Sequence, residues 1–138
     1  MKARRSRKLK TGSHRPLRTK LIFNPGSGRP EDSPQQLAAI LSEMQDQQIL
    51  PEVYTVRPDS HLETVVRHAI AAGIKLIVVA GGDGTIDSVV GAMVGKDVTL
   101  GIIPTGTRNN VAFNLGIGEE IPESVALLRR GRRLKIDV

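Results

Sequence analysis

From residue 20 onward, short apolar runs alternate with stretches whose apolar residues recur every three or four positions. Residues 20–23 form a brief run, Lys20 followed by three apolar residues, that stops at Asn24-Pro25-Gly26-Ser27-Gly28, a cluster of turn formers. It reads as a first strand and its exit loop. Ser33-Pro34-Gln35-Gln36 has the order of a helix start, with Ser at the N-cap, Pro at the first position and Gln closing a capping box. Leu37, Ile40, Leu41 and Met44 follow at helical spacing, which marks one buried face. Residues 53–56 predict a second strand. Ser60-His61-Leu62-Glu63 is a further capping box, continued by Leu62, Val65, Val66, Ala69 and Ile70, with Gly73 as the expected helix end.

Residues 76–80 are apolar without interruption and mostly β-branched, the composition of a strand covered on both faces. A third helix should begin near Thr85, with Ile86, Val89, Val90 and Met93 inward and Gly95 closing it. Residues 99–103 predict a fourth buried strand. A short helix over 109–115, a helix over 122–130 ended by Gly131, and a strand over 134–138 complete the pattern. Strands that alternate with helices imply right-handed crossovers. The expected fold is α/β: a three-layer α/β/α, Rossmann-like, mostly parallel sheet.

Charge divides the chain. The 138 residues carry a formal net charge of +6, yet residues 1–20 hold nine Lys/Arg and no acid. The other 118 residues hold 11 basic and 14 acidic groups, so the folded part is mildly acidic. Residues 1–18 are expected to be a basic, disordered tail and residues 19–138 the domain. The tail reads either as a solvated extension or as a contact for anionic lipid head groups, each cation near such a surface adding ~1 kcal/mol. Leu9 and Leu17 alone make a poor transit-peptide face, and no secretory signal is expected. The chain has no Cys, which excludes disulfides, thiolate catalysis and Cys-based zinc sites. His14, His61 and His68 are scattered, and the latter two read as surface residues. With only Phe23, Tyr54 and Phe113 aromatic, stacking platforms for single strands are lacking and no specific nucleic-acid partner is expected. No apolar run reaches the ~18–20 residues of a membrane-spanning helix.

In open parallel sheets, ligands sit where strands give way to helices at the carboxyl edge. Three loops there are unusual: Asn24-Pro25-Gly26-Ser27-Gly28, Gly81-Gly82-Asp83-Gly84-Thr85 and Pro104-Thr105-Gly106-Thr107-Arg108-Asn109-Asn110. Together they predict a Gly-rich rim whose N–H groups and helix N-termini suit phosphate. In the middle loop, three glycines in four positions let backbone approach a ligand where a Cβ would clash. Asp83 is the carboxylate among them, a candidate for holding Mg²⁺ directly or through water beside a nucleotide phosphate. Thr85 can cap the helix or donate to phosphate. Asp83 as a simple helix cap is the plainer alternative. Gly101 and Gly106 have the outer spacing of a P-loop, but Thr107-Arg108 stands where Lys-Ser/Thr is required. Asp87 occupies the place of the third glycine in a dinucleotide fingerprint.

The three loops, in order and spacing, resemble the catalytic domain of the diacylglycerol kinase family, which includes bacterial lipid kinases and sphingosine kinases. Its members carry an Asn-Pro-x-Ser/Ala-Gly loop, a Gly-Gly-Asp-Gly-Thr loop and a Pro-x-Gly-Thr-x-Asn loop. The resemblance covers about residues 18–138 and implies the N-terminal, ATP-binding domain of the NAD kinase and diacylglycerol kinase type. It implies ATP as phosphoryl donor with Mg²⁺, and a lipid hydroxyl at a membrane surface as acceptor. Gly81, Gly82, Asp83, Gly84, Thr85 and Asp87 are then expected to line the nucleotide phosphates, with Asp83 as metal ligand. Thr107 and Asn109 fall in the second nucleotide-contacting loop, Asn24 supports the first, and Thr55 matches a nucleotide-contacting threonine. Thr55 is equally an ordinary strand-end threonine. A cytoplasmic location, peripheral at the membrane, follows from the same resemblance.

Three positions in two motifs depart from the family. Asp87-Ser88 stands where Asn-Glu is usual, and Asn109-Asn110 where Asn-Asp is usual. The β-rich second domain that supplies the family's catalytic base is not expected within 138 residues, so the base lies outside this chain. Apolar surface meant for that domain would favour homo-oligomers. Arg129, Arg130, Arg132, Arg133 and Lys135 form a second basic cluster, read as a solvated helix end complementing its dipole or as a face toward anionic lipid. An NAD kinase-like enzyme and a non-catalytic nucleotide-binding regulatory module are the alternative functions.

Overall fold

Leu76–Gly81 is buried at every position, so both of its faces must be covered. The computed structural model covers them with helices. It describes residues 15–26, 30–105 and 120–130. The chain runs β1 (Leu17–Phe23), α1 (Ser33–Asp46), β2 (Ile49–Thr55), α2 (Leu62–Ala71), β3 (Leu76–Gly81), α3 (Asp83–Met93), β4 (Thr99–Pro104) and α4 (Ile121–Arg130). The strands pair in the order β2-β1-β3-β4, and every pair is parallel. The α/β fold and parallel sheet agree with the sequence pattern.

Side chains alternate across a strand, so β3 feeds two cores. Leu76, Val78 and Ala80 join Leu21, Phe23, Ile40, Met44 and Val125 under α1 and α4. Ile77 and Val79 join Ile22, Val66, Ala69, Ile86, Val89 and Ile102 under α2 and α3. The layering is therefore helix, sheet, helix. The predicted inward stripes hold, with Ile40, Met44, Val66, Ala69, Ile86 and Val89 buried and Leu37, Leu41, Val90 and Met93 packed at the margins.

The strand ends differ from the sequence reading. β1 begins at Leu17, so Leu17 and Arg18 belong to the sheet and not to the tail. Arg18 is tied there by Glu52 at 3.1 Å and by the Ala72 carbonyl at 3.2 Å. β2 begins at Ile49, four residues earlier than expected, and contains Pro51. Leu17 N–H donates to the Gln48 carbonyl and Val56 N–H to the Phe23 carbonyl. Even-numbered residues of β2 therefore face β1 and odd-numbered ones face outward. Pro51 sits on an outward rung of an edge strand, where its missing N–H costs no ladder bond.

Neither predicted capping box forms. A 3-10 turn at Pro30–Asp32 leads into α1, whose N-cap is Asp32, and Ser33 is a buried first helical residue. The Ser60 hydroxyl oxygen accepts the Arg57 N–H and the Tyr54 hydroxyl, both at 2.8 Å, and His61 is the N-cap of α2. Gly73 ends α2 as expected. Its φ is +90°, and the Gly73 and Ile74 N–H groups reach the Ile70 and Ala69 carbonyls in the two-bond pattern of a Schellman stop. Gly95 likewise follows α3, which starts at Asp83, two residues before Thr85. The expected elements over 109–115 and 134–138, and Gly131, lie outside the described residues.

Arg129 is not a solvated helix end. Its guanidinium is half-buried and donates to the carbonyls of Gln47 (3.0 and 3.1 Å), Gln48 (2.9 Å) and Arg15 (3.2 Å). Gln47 is the C-cap of α1, and Gln48 is a non-glycine residue at φ +57°. A cation thus satisfies the carbonyls of a helix C-terminus and holds a left-handed turn that Gln would otherwise resist.

Thr19 is fully buried in β1 on the α1 side, and its hydroxyl is the one buried side-chain polar atom among the described residues without a hydrogen-bond partner. Thr19→Val removes that hydroxyl at nearly constant shape. Equilibrium unfolding in urea should show a gain of about 1 kcal/mol, the relief of an unsatisfied buried group, with an unchanged denaturant slope.

Candidate phosphate site at the carboxyl edge of the sheet

The four strands end level. Phe23 pairs with Thr55 on one side and Ala80 on the other, and Gly81 pairs with Pro104. α1 leaves β1 toward one face of the sheet while α3 leaves β3 toward the other. The crevice between β1 and β3 is therefore the switch point, where open α/β sheets accept ligands.

Asn24 stands at this crevice. Its backbone N–H continues the β1–β3 ladder to the Ala80 carbonyl at 2.9 Å. Its side-chain Oδ1 accepts the Gly26 N–H at 3.0 Å, and Nδ2 donates to Thr85 Oγ1 at 2.8 Å. The first loop and the first turn of α3 are thereby joined by a side chain. Gly81 lies against that joint. A Cβ there would meet the Asn24 Cβ at 3.3 Å and the Thr85 Cβ and Oγ1 at 3.4 Å. The need for glycine at this position comes from the protein's own side chains.

Gly84 is different. It is exposed, and a Cβ added to it would meet nothing within 4 Å, so the space above it is open to a ligand. Gly82 is the N-cap of α3 in an extended conformation, with φ −103°. Asp83, half-buried, is the first residue of the helix, so the cap itself is a glycine and Asp83 is not the N-cap. Its carboxylate lies in the first turn, which favours negative charge near the free N–H groups.

The remaining expected residues spread along the rim. Thr55 is exposed at the end of β2. β1 separates it from β3, two strand spacings or roughly 10 Å. Asp87 is exposed one turn farther along α3. Ser88, which replaces the family's usual Glu, turns its hydroxyl back to the Gly84 carbonyl at 3.2 Å. Thr107 and Asn109 lie outside the described residues. The structure thus brings Asn24, Gly81 and Thr85 into contact with Gly82, Asp83 and Gly84 beside them, and sets Thr55 and Asp87 apart.

A shallow groove of about 450 Å³ beside the end of β2 is bounded by Tyr54, Arg57, Ser60, His61, Thr64 and His68. His61 and His68 are exposed, as expected, yet they flank a concavity that the sequence reading passed over. The signal for it is the polar spacing 61, 64, 68 on the outer side of α2.

Asp83 can serve a metal only in a particular way. Among the described residues no group of three or more His, Cys, Asp or Glu is placed to hold an ion. An all-protein cage is thus not formed by them. Mg²⁺ commonly takes one or two carboxylates and completes its shell with water and substrate phosphate, and one half-buried carboxylate beside an open, glycine-lined helix start fits that demand.

An all-parallel α/β sheet with a Gly-Gly-Asp-Gly-Thr turn at its switch point defines a class of kinase-like domain. The chain belongs to the diacylglycerol kinase catalytic-domain family, whose model matches residues 18–138. It is 35% identical over 105 residues to a diacylglycerol kinase of Bacillus subtilis (strain 168), covering 75% of this chain and 34% of that protein. It is 28% identical over 123 residues to a diacylglycerol kinase of Staphylococcus carnosus (strain TM300), covering 88% and 40%. A crystal structure of a diacylglycerol kinase from Bacillus anthracis str. Sterne superposes with a TM-score of 0.69 at 25% identity, over 83% of this chain and 40% of that one. The chain spans between a third and two fifths of the length of these relatives.

Gly81→Ala tests the crowded joint. The added methyl should push Asn24 from Thr85 and lower stability by about 1–2 kcal/mol, within the usual range for overpacking. Thermal unfolding followed by circular dichroism would register it. Gly84→Ala, with its open space, should change stability by less than Gly81→Ala.

Proposed function

We propose that this chain is the nucleotide-binding half of an ATP-dependent lipid kinase. The observation that carries the reading is the glycine-rich turn of residues 81–85, which opens α3 at the β1–β3 crevice in a chain of the diacylglycerol kinase family. Backbone N–H groups of that turn and the start of α3 suit the phosphates of ATP. Asp83 would hold Mg²⁺, which on binding offsets charge on the phosphate oxygens. Thr107 and Asn109 contribute the second loop, and Thr55 marks the far end of the rim. Asp87, exposed and a turn away, sits at the margin of the site.

The acceptor is a lipid hydroxyl, in keeping with the names of the relatives, which include a probable lipid kinase YegS-like of Klebsiella pneumoniae (strain 342), 35% identical over 75 residues. The hydroxyl attacks the terminal phosphorus in line, the bond from that phosphorus to the bridging oxygen breaks, and ADP leaves. Positioning and charge, more than covalent chemistry, set the rate of such a transfer. In this reading Asp83 serves the metal, so a group other than Asp83 takes the hydroxyl proton. A cytoplasmic enzyme peripheral to the membrane is the setting this chemistry asks for. The basic residues of the N-terminal segment would add affinity for anionic head groups, at ~1 kcal/mol per cation. No helix among the described residues is long and apolar enough to cross a membrane.

Two expectations test the reading. Isothermal titration calorimetry should give Mg²⁺-dependent ATP binding by the 138-residue chain, weakened at least about tenfold in Asp83→Ala, the scale seen when metal-site groups are removed, with the circular dichroism spectrum unchanged. ATP binding of equal strength in Asp83→Ala would remove Asp83 from the site. The same chain, given diacylglycerol in mixed micelles, should transfer no measurable phosphate, since a general base is worth ~10²–10⁴-fold. Robust conversion that disappears in Asp83→Ala would place the whole catalytic apparatus within these residues.

A further inference from the structure

The orientation of the Asn24 amide is fixed by its partners. A backbone N–H can only donate, so the atom 3.0 Å from Gly26 N must be the amide oxygen. The atom 2.8 Å from Thr85 Oγ1 is then the NH₂ group, which also can only donate. The Thr85 oxygen therefore accepts, and its own hydrogen points away from Asn24. Thr85 lies in the first turn of α3, is 8% exposed, and stands one residue after the open position of Gly84.

We propose that Asn24 is a positioning residue: its amide makes the Thr85 hydroxyl a committed donor toward an anionic oxygen of the ligand at the start of α3. This deepens the nucleotide-binding reading and rests on it, with the triphosphate of ATP as the ligand. A free Thr hydroxyl rotates to suit its surroundings and can spend its hydrogen on a backbone carbonyl. The Asn24 N–H occupies one lone pair of that oxygen and withdraws the rotor positions that would point the hydrogen at Asn24. Asn24 acts through Thr85.

Asn24→Asp tests this with little change of shape. One carboxylate oxygen can still accept the Gly26 N–H, but the other can only accept as well. Thr85 must then donate to it, and the hydroxyl is turned from the ligand. ATP binding should weaken about tenfold or more, the worth of one hydrogen bond to a charged group, while the melting temperature of the ligand-free chain holds. Simple repulsion between the introduced carboxylate and the phosphates is separated by a double-mutant cycle with Thr85→Val. If the hydroxyl is the route, most of the Asn24→Asp loss vanishes in the Thr85→Val background, and Thr85→Ser retains binding. An equal loss in both backgrounds overturns the proposal. Side-chain amide resonances of ligand-free protein give a readout that needs no nucleotide: Thr85→Val should shift the Asn24 Nδ2 signals, and unmoved signals overturn the proposal. Shifted Asn24 signals in Thr85→Val together with no ATP binding by the unaltered chain would instead sink the nucleotide reading itself.

Discussion

The site depends on β1 and β3 lying side by side while their helices depart to opposite faces of the sheet. That arrangement follows from burial. β3 is apolar on both faces and has to be interior, and β1, with Leu21, Ile22 and Phe23 all buried, has to be its neighbour. Once α1 and α3 leave on different sides, neither helix covers the gap between the two strand ends. Asn24 then bridges that space with backbone to Ala80 and side chain to Thr85, so the position of the first turn of α3 is set by the sheet.

A rim built in this way relies on backbone more than on charge. Gly82 caps α3 in an extended conformation, Gly84 leaves open space, Asp83 supplies a carboxylate, and Ser88 spends its hydroxyl within its own helix. On the function proposed above, such a surface would grip a polyphosphate whose charge is neutralised largely by the ion it brings with it.

Much of this was legible in the residues. Helical spacing located the buried faces of α1, α2 and α3, and the unbroken apolar run of β3 announced a strand covered on both sides. The glycine-rich turns after β1 and β3 declared the carboxyl edge by composition alone. What could not be read depends on partners distant in the chain. Asn24 and Thr85 are 61 positions apart, and Arg129 finds its carbonyls 81 and 82 positions away. Ser33 and Ser60 carry the right residue type for caps, but the first is buried at the helix start and the second is claimed by Tyr54 and Arg57. Pro51 looks like a strand breaker until the rung it occupies is known. Arg18 reads as one more tail cation until Glu52 and the Ala72 carbonyl are beside it.

The outward-facing proline of β2 also makes the two borders of the sheet unlike. A strand laid against β2 would find a missing donor at Pro51, in the middle of the seven-residue edge. Along β4, Thr99 N–H points to the Lys75 carbonyl, so Leu100 and Ile102 turn their backbone groups to the other border and present intact rungs until Pro104. Pro51 thus interrupts the β2 border in mid-strand, whereas on β4 the missing donor falls at the last residue of the strand. The crevice has two strands on each side, β3 and β4 on one and β1 and β2 on the other.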